Sequence, residues 1–262
     1  MVRARLLLLF VSAMALCGPA ALASGSGQKR SIRPAFPSSA QVAAAKRYVS
    51  SRAGIVSFTV IDSRGKRYSL AGDRQFVTAS VIKVMLMACF LNMKTIEHKS
   101  LTSTNRSDLH AMITESDNDA ADEIYDQVGD GRLYNLAQRL GMRHFSISGY
   151  WANAQLTTND QALLMEYLSR AIYPRHYAYA RSLLSSVVTW ESWGIPRVAR
   201  ARGWKVFFKG GWRGSDRGQL IHQVARLERR GQTIVICVMT DGDPGSVYGQ
   251  ETVNGIAQKL LR

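Results

Sequence analysis

Acidic side chains, cysteines and long apolar runs are all scarce in this 262-residue sequence. Nineteen Asp and Glu face 34 Lys and Arg, which gives a formal net charge of +15. That imbalance favours anionic surfaces and carboxylated partners such as a cell wall. The cations are scattered rather than clustered, so a solvated basic surface accounts for them equally well. There are three cysteines, with no Cys-x-x-Cys and no His/Cys cluster. This excludes a disulfide-built scaffold and leaves no ligand set for zinc. Cys89 and Cys237 lie inside apolar runs and read as two buried thiols. No metal and no cofactor is expected.

The first residues form a unit of their own. Arg3 and Arg5 precede an apolar run from Leu6 to Leu16, too short to span a bilayer comfortably. Ala21-Leu22-Ala23 then supplies a small-x-small cleavage site. Residues 1–23 therefore read as a secretory signal, after which the protein is secreted to the exterior, cell wall or periplasm. Cys17 offers a lipoprotein alternative, but Leu16 stands where a small residue is wanted. Export argues against nucleic acid as a partner. Residues 24–38, rich in Ser, Gly, Pro and cations, read as a flexible tether. No later segment is apolar enough to cross a membrane, and 39–262 reads as one domain, expected to act as a monomer.

Apolar spacing predicts a helix over 39–51, a hairpin from Ile55–Ile61 and Lys66–Leu70, and an apolar helix from Ser80 to Met93. Helices follow over 104–115, 119–128, 131–140, 157–171 and 175–188. Strands return at 205–208, 219–226 and 233–240, and 250–262 closes as an amphipathic helix. The order implies an α+β fold in which an antiparallel sheet is flanked by helices and carries an inserted all-helical subdomain.

Three short motifs occur in order along this frame. Ser80-Val81-Ile82-Lys83 opens the apolar helix, which puts Ser80 and Lys83 on one face. A hydroxyl needs a base, and a lysine serves at neutral pH only when burial or a neighbouring cation lowers its affinity for protons. Lys209 is a candidate for that second cation. Ser116-Asp117-Asn118 is the second motif, and a helix-capping role accounts for Ser116 or Asp117 equally well. Lys209-Gly210-Gly211 is the third; as a bland alternative it is a strand-end lysine followed by a turn glycine pair. Of the four tryptophans from Trp190 to Trp212, Trp190 and Trp193 are expected in the core and Trp212 at a groove.

The order S-x-x-K, S-D-N, K-x-G resembles that of class A β-lactamases and penicillin-binding proteins. The resemblance runs from about Ser39 to the C-terminus and includes Gln155–Asp160 and Gly203-Trp204. It implies an acyl-enzyme on Ser80, with Lys83 as base, Ser116 relaying a proton and Asn118 holding Lys83 and the substrate amide. Lys209 and Gly211 would bind substrate, with Lys209 at its carboxylate. The backbone N–H groups of Ser80 and Trp212 would form the oxyanion hole. Arg217 would be a carboxylate-binding arginine on the following strand, one position out of register. The implied substrates are β-lactams, related amides or esters, or peptidoglycan-like peptides.

Three departures stand out. Residues 145–155, which match the Ω-loop, carry no acid to activate water; Glu166 falls in a later helix and is not its equivalent. Gly210 replaces a hydroxyl residue, with Ser215 a candidate substitute. Ser116 follows Ser80 by only 36 positions, shorter than is typical of class A enzymes. Slow deacylation, a D-Ala-D-Ala peptidase or a non-turnover binder are the readings these departures open.

Overall fold

The computed structural model describes residues 34–262. The expected signal segment, Cys17 and residues 24–33 of the expected tether lie outside the described residues. Residues 34–38 are fixed against the domain, with Phe36 stacked on Trp204 at 5.6 Å and its backbone bonded to Ser63.

The chain opens with α1 (Ser39–Val49), started by a capping box between Ser38 and Gln41. The hairpin β1 (Ile55–Ile61) and β2 (Arg67–Leu70) follows, then β3 (Gln75–Val77). A 3-10 turn, Ala79–Ile82, leads into α2 (Lys83–Phe90). The helical insert contains α3 (Ser103–Thr114) and α4 (Asp119–Leu140). Gly129 interrupts α4 with a φ of 67°, which is why the sequence reads there as two helices. After a second 3-10 turn, Trp151–Asn153, come β4 (Gln155–Thr157), α5 (Thr158–Glu166), α6 (Leu168–Ala171) and α7 (Pro174–Ser185). A third 3-10 turn, Thr189–Glu191, precedes α8 (Ile195–Arg200). The chain ends with β5 (Lys205–Ser215), β6 (Gly218–Arg229), β7 (Gln232–Asp241) and α9 (Ser246–Leu260).

Five strands form one sheet in the order β2-β1-β7-β6-β5, antiparallel throughout. This is the α+β architecture expected from the element order. The sheet separates two cores. One, with α1, α8 and α9, gathers Val42, Phe58, Phe208, Ile236 and Ile256. The other joins the opposite face to the helical insert through Phe207, Val235, Cys237, Met85 and Leu164. Alternation along a strand sends neighbours such as Phe207 and Phe208 to opposite cores. Cys89 and Cys237 are free and buried, as expected, and burial pushes both thiols up, Cys89 to about 12. Among the described residues no helix is long and apolar enough to cross a membrane.

A small sheet of β3 and β4, too short to stand out in the sequence, ties the Ser80 segment to the rest. His222 on β6 is fully buried and bonds the Val77 carbonyl at 2.8 Å through Nε2, while Nδ1 accepts from Thr240 N–H. One donor and one acceptor make it a neutral imidazole, consistent with the lowering of its pKa by burial. Gln155–Asp160 fastens this corner. Thr157 caps α5, and the Asp160 carboxylate accepts the Arg143 and His144 N–H groups. Thr158 and Asn159 join a buried polar seam with Ser57 and Thr59.

Phe58, on β1 between β2 and β7, is fully buried in the core that α1, α8 and α9 cover. Phe58→Ala should destabilise the protein by about 3–5 kcal/mol, read as a shift in the denaturant midpoint with unchanged slope.

Candidate active site

Ser80 to Ile82 of the first motif lie in the 3-10 turn, and Lys83 is the first residue of α2. The i, i+3 spacing across this junction keeps Ser80 and Lys83 on one face. The turn is entered through Ala79 at a φ of 44°, and Ser116 of the second motif has a φ of 59°. Non-glycine residues rarely hold such angles, which cost about 1–3 kcal/mol each and persist only where packing imposes them.

Lys83 is wholly buried. Its ammonium donates to the Ser116 carbonyl at 2.6 Å, the Asp117 carbonyl at 3.0 Å and Asn118 Oδ1 at 2.8 Å. The second motif is thus wrapped around the lysine of the first. Asp117 also caps α4 by accepting the Ala120 N–H at 2.8 Å, so the capping role foreseen for this motif belongs to Asp117. Ser116 Oγ is buried without a protein partner. The Trp151 indole covers the ammonium at 4.7 Å, held there by its N–H bond to Asp122. Trp151 comes from the acid-free segment 145–155, so an apolar ring lies over Lys83 where the resemblance would place a base. Burial, then the charge of Lys209, lowers Lys83 to about 7, with Asp117 and Glu191 acting the other way.

The third motif is not at a strand end. β5 continues to Ser215, with Gly210 and Gly211 inside it. The reason is steric. A Cβ on Gly211 would lie 2.9 Å from both Ser80 N and Val81 N, so only glycine lets the strand pass the Ser80 turn this closely.

Lys209 is also fully buried, and it is not free. Glu191 Oε2 accepts from its ammonium at 2.8 Å, and the Glu191 side chain is fully buried as well. Burial pushes Lys209 down and Glu191 up, while their attraction opposes both shifts. Oε1 of Glu191 has no partner within the protein. The segment is anchored beside the second motif, since Val188 N–H donates to the Thr114 carbonyl at 3.0 Å. Sequence reading missed Glu191 because a lone acid between tryptophans belongs to no motif. The available signal was Lys209 itself, a cation inside an apolar strand that had to find an acid.

Other expectations are corrected. Arg217 is in the turn between β5 and β6 rather than on the following strand, and its guanidinium is bound to Asp241 Oδ2. Ser215 bonds Asp241 at 2.7 Å and does not stand in for a hydroxyl at Gly210. Trp190 is 61% exposed and meets Trp212 edge-on at 5.6 Å, so it is a groove residue rather than core. Trp193 packs partly into the core and reaches Trp212 at 6.5 Å. Glu166 faces a separate cavity of about 340 Å³ lined by Ile61, Gly65 and Arg226. A larger cavity of about 730 Å³ opens beside Val77, Gln155, Arg213 and Arg217, and none of the three motifs lines it.

The family model described as "Beta-lactamase enzyme family" matches residues 92–262. The chain belongs to that family. Solved structures agree in fold. A beta-lactamase from Sphaerobacter thermophilus is 21% identical with a TM-score of 0.73, covering 85% of this chain and 96% of that one. A class A beta-lactamase from Mycobacterium abscessus is 20% identical with a TM-score of 0.67, covering 83% and 96%. The structure of PBP-A is 19% identical with a TM-score of 0.66, covering 83% and 94%. No curated protein matches. Family and fold together make this a β-lactamase-like serine hydrolase.

Gly211→Ala should destabilise the protein by about 1–3 kcal/mol, because two backbone nitrogens cannot readily retreat from the added methyl. A lowered denaturant midpoint with unchanged slope measures this.

Proposed function

We propose that this protein is an exported acyl-serine hydrolase that attacks β-lactams or related amides and esters through Ser80 and releases the product slowly. The observation that carries the proposal is the convergence of Lys83, Ser116, Asn118 and Lys209, from distant segments, beside the Ser80 turn.

In this reading Ser80 Oγ bonds to the substrate carbonyl carbon as its proton passes to the Lys83 amine. The carbonyl oxygen gains negative charge, which the Ser80 and Trp212 N–H groups stabilise. The C–N or C–O bond then breaks, and the proton reaches the leaving atom by way of Ser116 Oγ. The unpartnered, buried state of that hydroxyl suits a relay. To act as base, Lys83 must give up one of its three donated bonds, and the neutral amine then keeps two of its three acceptors, Asn118 Oδ1 and the Ser116 and Asp117 carbonyls. The Asp117 side chain serves as a cap, and only its carbonyl takes part in holding the amine.

Hydrolysis of the acyl-enzyme needs an activated water. Segment 145–155 supplies an indole over Lys83 rather than a carboxylate. This favours a long-lived acyl-enzyme, the behaviour of a penicillin-binding protein, and keeps open a cell-wall D-Ala-D-Ala peptidase or a non-turnover relative. The signal expected at 1–23 would place the activity outside the membrane, where peptidoglycan-like substrates are found.

Incubation with benzylpenicillin should give an adduct of one drug mass that persists for many minutes in wild type and is absent in Ser80→Ala. Rapid product formation with unmodified protein would overturn slow release, and identical behaviour of Ser80→Ala would overturn the serine mechanism. A second measurement tests the base. The amine form of Lys83 is the active one and is protonated below its pKa of about 7. Acylation should therefore fall about tenfold per pH unit below 7 and level off above it. Lys83→Ala should lose about a hundredfold or more on the plateau above pH 7, and its difference from wild type should shrink as the pH falls below 7.

A further inference from the structure

Lys94, Arg132, Arg139 and Arg170 are far apart along the sequence, but the fold gathers them on one corner of the helical insert. Arg132, Asn135 and Arg139 fall at i, i+3 and i+7, on one face of α4 beyond Gly129. With Asn92 and Lys94, which follow α2, they line a cavity of about 180 Å³. Arg139 also lines a second cavity, of about 440 Å³, beside Tyr167 and Arg170. Among the described residues neither lining includes an Asp or a Glu.

The three arginines meet neutral groups. Arg132 donates to the Val128 carbonyl at 2.8 Å and to the Gln127 carbonyl at 3.3 Å. The Asn92 amide, turned so that its oxygen faces Arg139, accepts from that guanidinium at 3.2 and 3.3 Å. Arg170 lies over the Tyr167 ring at 4.8 Å. A guanidinium held by neutral groups keeps its charge. Lys94 meets Glu97 at 3.5 Å with its own side chain 94% exposed, and so solvated a pair holds it weakly. Glu166 feels the charge of Arg170, but it lines the separate cavity that holds Arg226. Cations brought together in this way repel one another, and an anion among them turns that repulsion into attraction. Guanidinium forks take phosphate oxygens two at a time, and a terminal phosphate brings more charge and one more oxygen than a carboxylate.

We propose that this corner is a binding site for a chain of phosphate groups, with one phosphate among Lys94, Arg132 and Arg139 and the next reaching past Arg139 to Arg170. Asn135 adds an amide N–H donor in the first cavity. None of the three motifs lines either cavity, so the site is independent of the acyl-serine function proposed above.

The test is calorimetric titration of the secreted form at about 0.15 M salt, where long-range attraction is screened. Tripolyphosphate should bind wild type at least about tenfold more tightly than either inorganic phosphate or citrate. Arg139→Gln, which touches both cavities, should weaken tripolyphosphate at least about tenfold, and Arg170→Gln should weaken it while leaving inorganic phosphate unchanged. Arg47→Gln removes the same charge from a different basic cavity, shared with Lys259, and should change the affinity by less than about twofold. Circular dichroism establishes that each variant is folded. Absence of tripolyphosphate binding, equal affinity for citrate, or an equal loss in Arg47→Gln and Arg139→Gln overturns the site. Equal affinity for inorganic phosphate and tripolyphosphate, or an Arg170→Gln variant that binds tripolyphosphate like wild type, overturns its extension to the second cavity. Competition by poly(glycerol phosphate) assigns the site to a phosphodiester polymer, whereas tripolyphosphate binding that the polymer does not displace assigns it to free polyphosphate; both uphold it.

Discussion

Burying an ammonium costs several kcal/mol unless acceptors replace the water it loses. This protein buries two, Lys83 and Lys209, and much of the cleft's local structure follows from satisfying them. Lys83 draws two backbone carbonyls and Asn118 around itself, which accounts for the positive φ at Ser116: only a tight turn can aim consecutive carbonyls, from Ser116 and Asp117, at one nitrogen. Lys209 draws Glu191 out of a 3-10 turn between two helices. The helical insert is joined to the sheet through these contacts as well as through the apolar core, so the cleft and the packing of the two parts have a common origin.

The two lysines also influence each other. Lys209 lowers the proton affinity of Lys83, but Glu191 opposes that effect at close quarters, and burial remains the larger cause. A nearby second cation is thus a weaker part of the explanation than the sequence suggests. Removal of water by Trp151 and the surrounding apolar residues does more to bring Lys83 near neutrality.

The element order was legible because the strands β1, β6 and β7 are runs of branched and apolar residues, and the helices keep their spacing. Ser80, Lys83, Ser116, Asn118 and Lys209 were legible because their spacing is unusual in combination. What sequence could not give was distance. The glycines at 210 and 211 read as a turn, although they are strand residues under a close-passing backbone. Arg217 and Ser215 looked like ligand-binding groups because nothing in the local pattern shows that Asp241, more than twenty residues away, holds both. Glu191 and Trp190 fell outside every motif, and their placement depends on how the segment after α7 folds back along β5.

Cys89 and Cys237 are separately buried, and neither is paired. Burial holds both as protonated thiols, Cys89 up to about 12, and a protonated thiol is a poor partner for oxidants and disulfides alike. The described domain therefore needs no oxidative step to reach its fold, and an oxidising exterior has little purchase on it afterwards. Once folded, the domain keeps both thiols where oxidants cannot readily reach them, so its stability does not rest on their redox state.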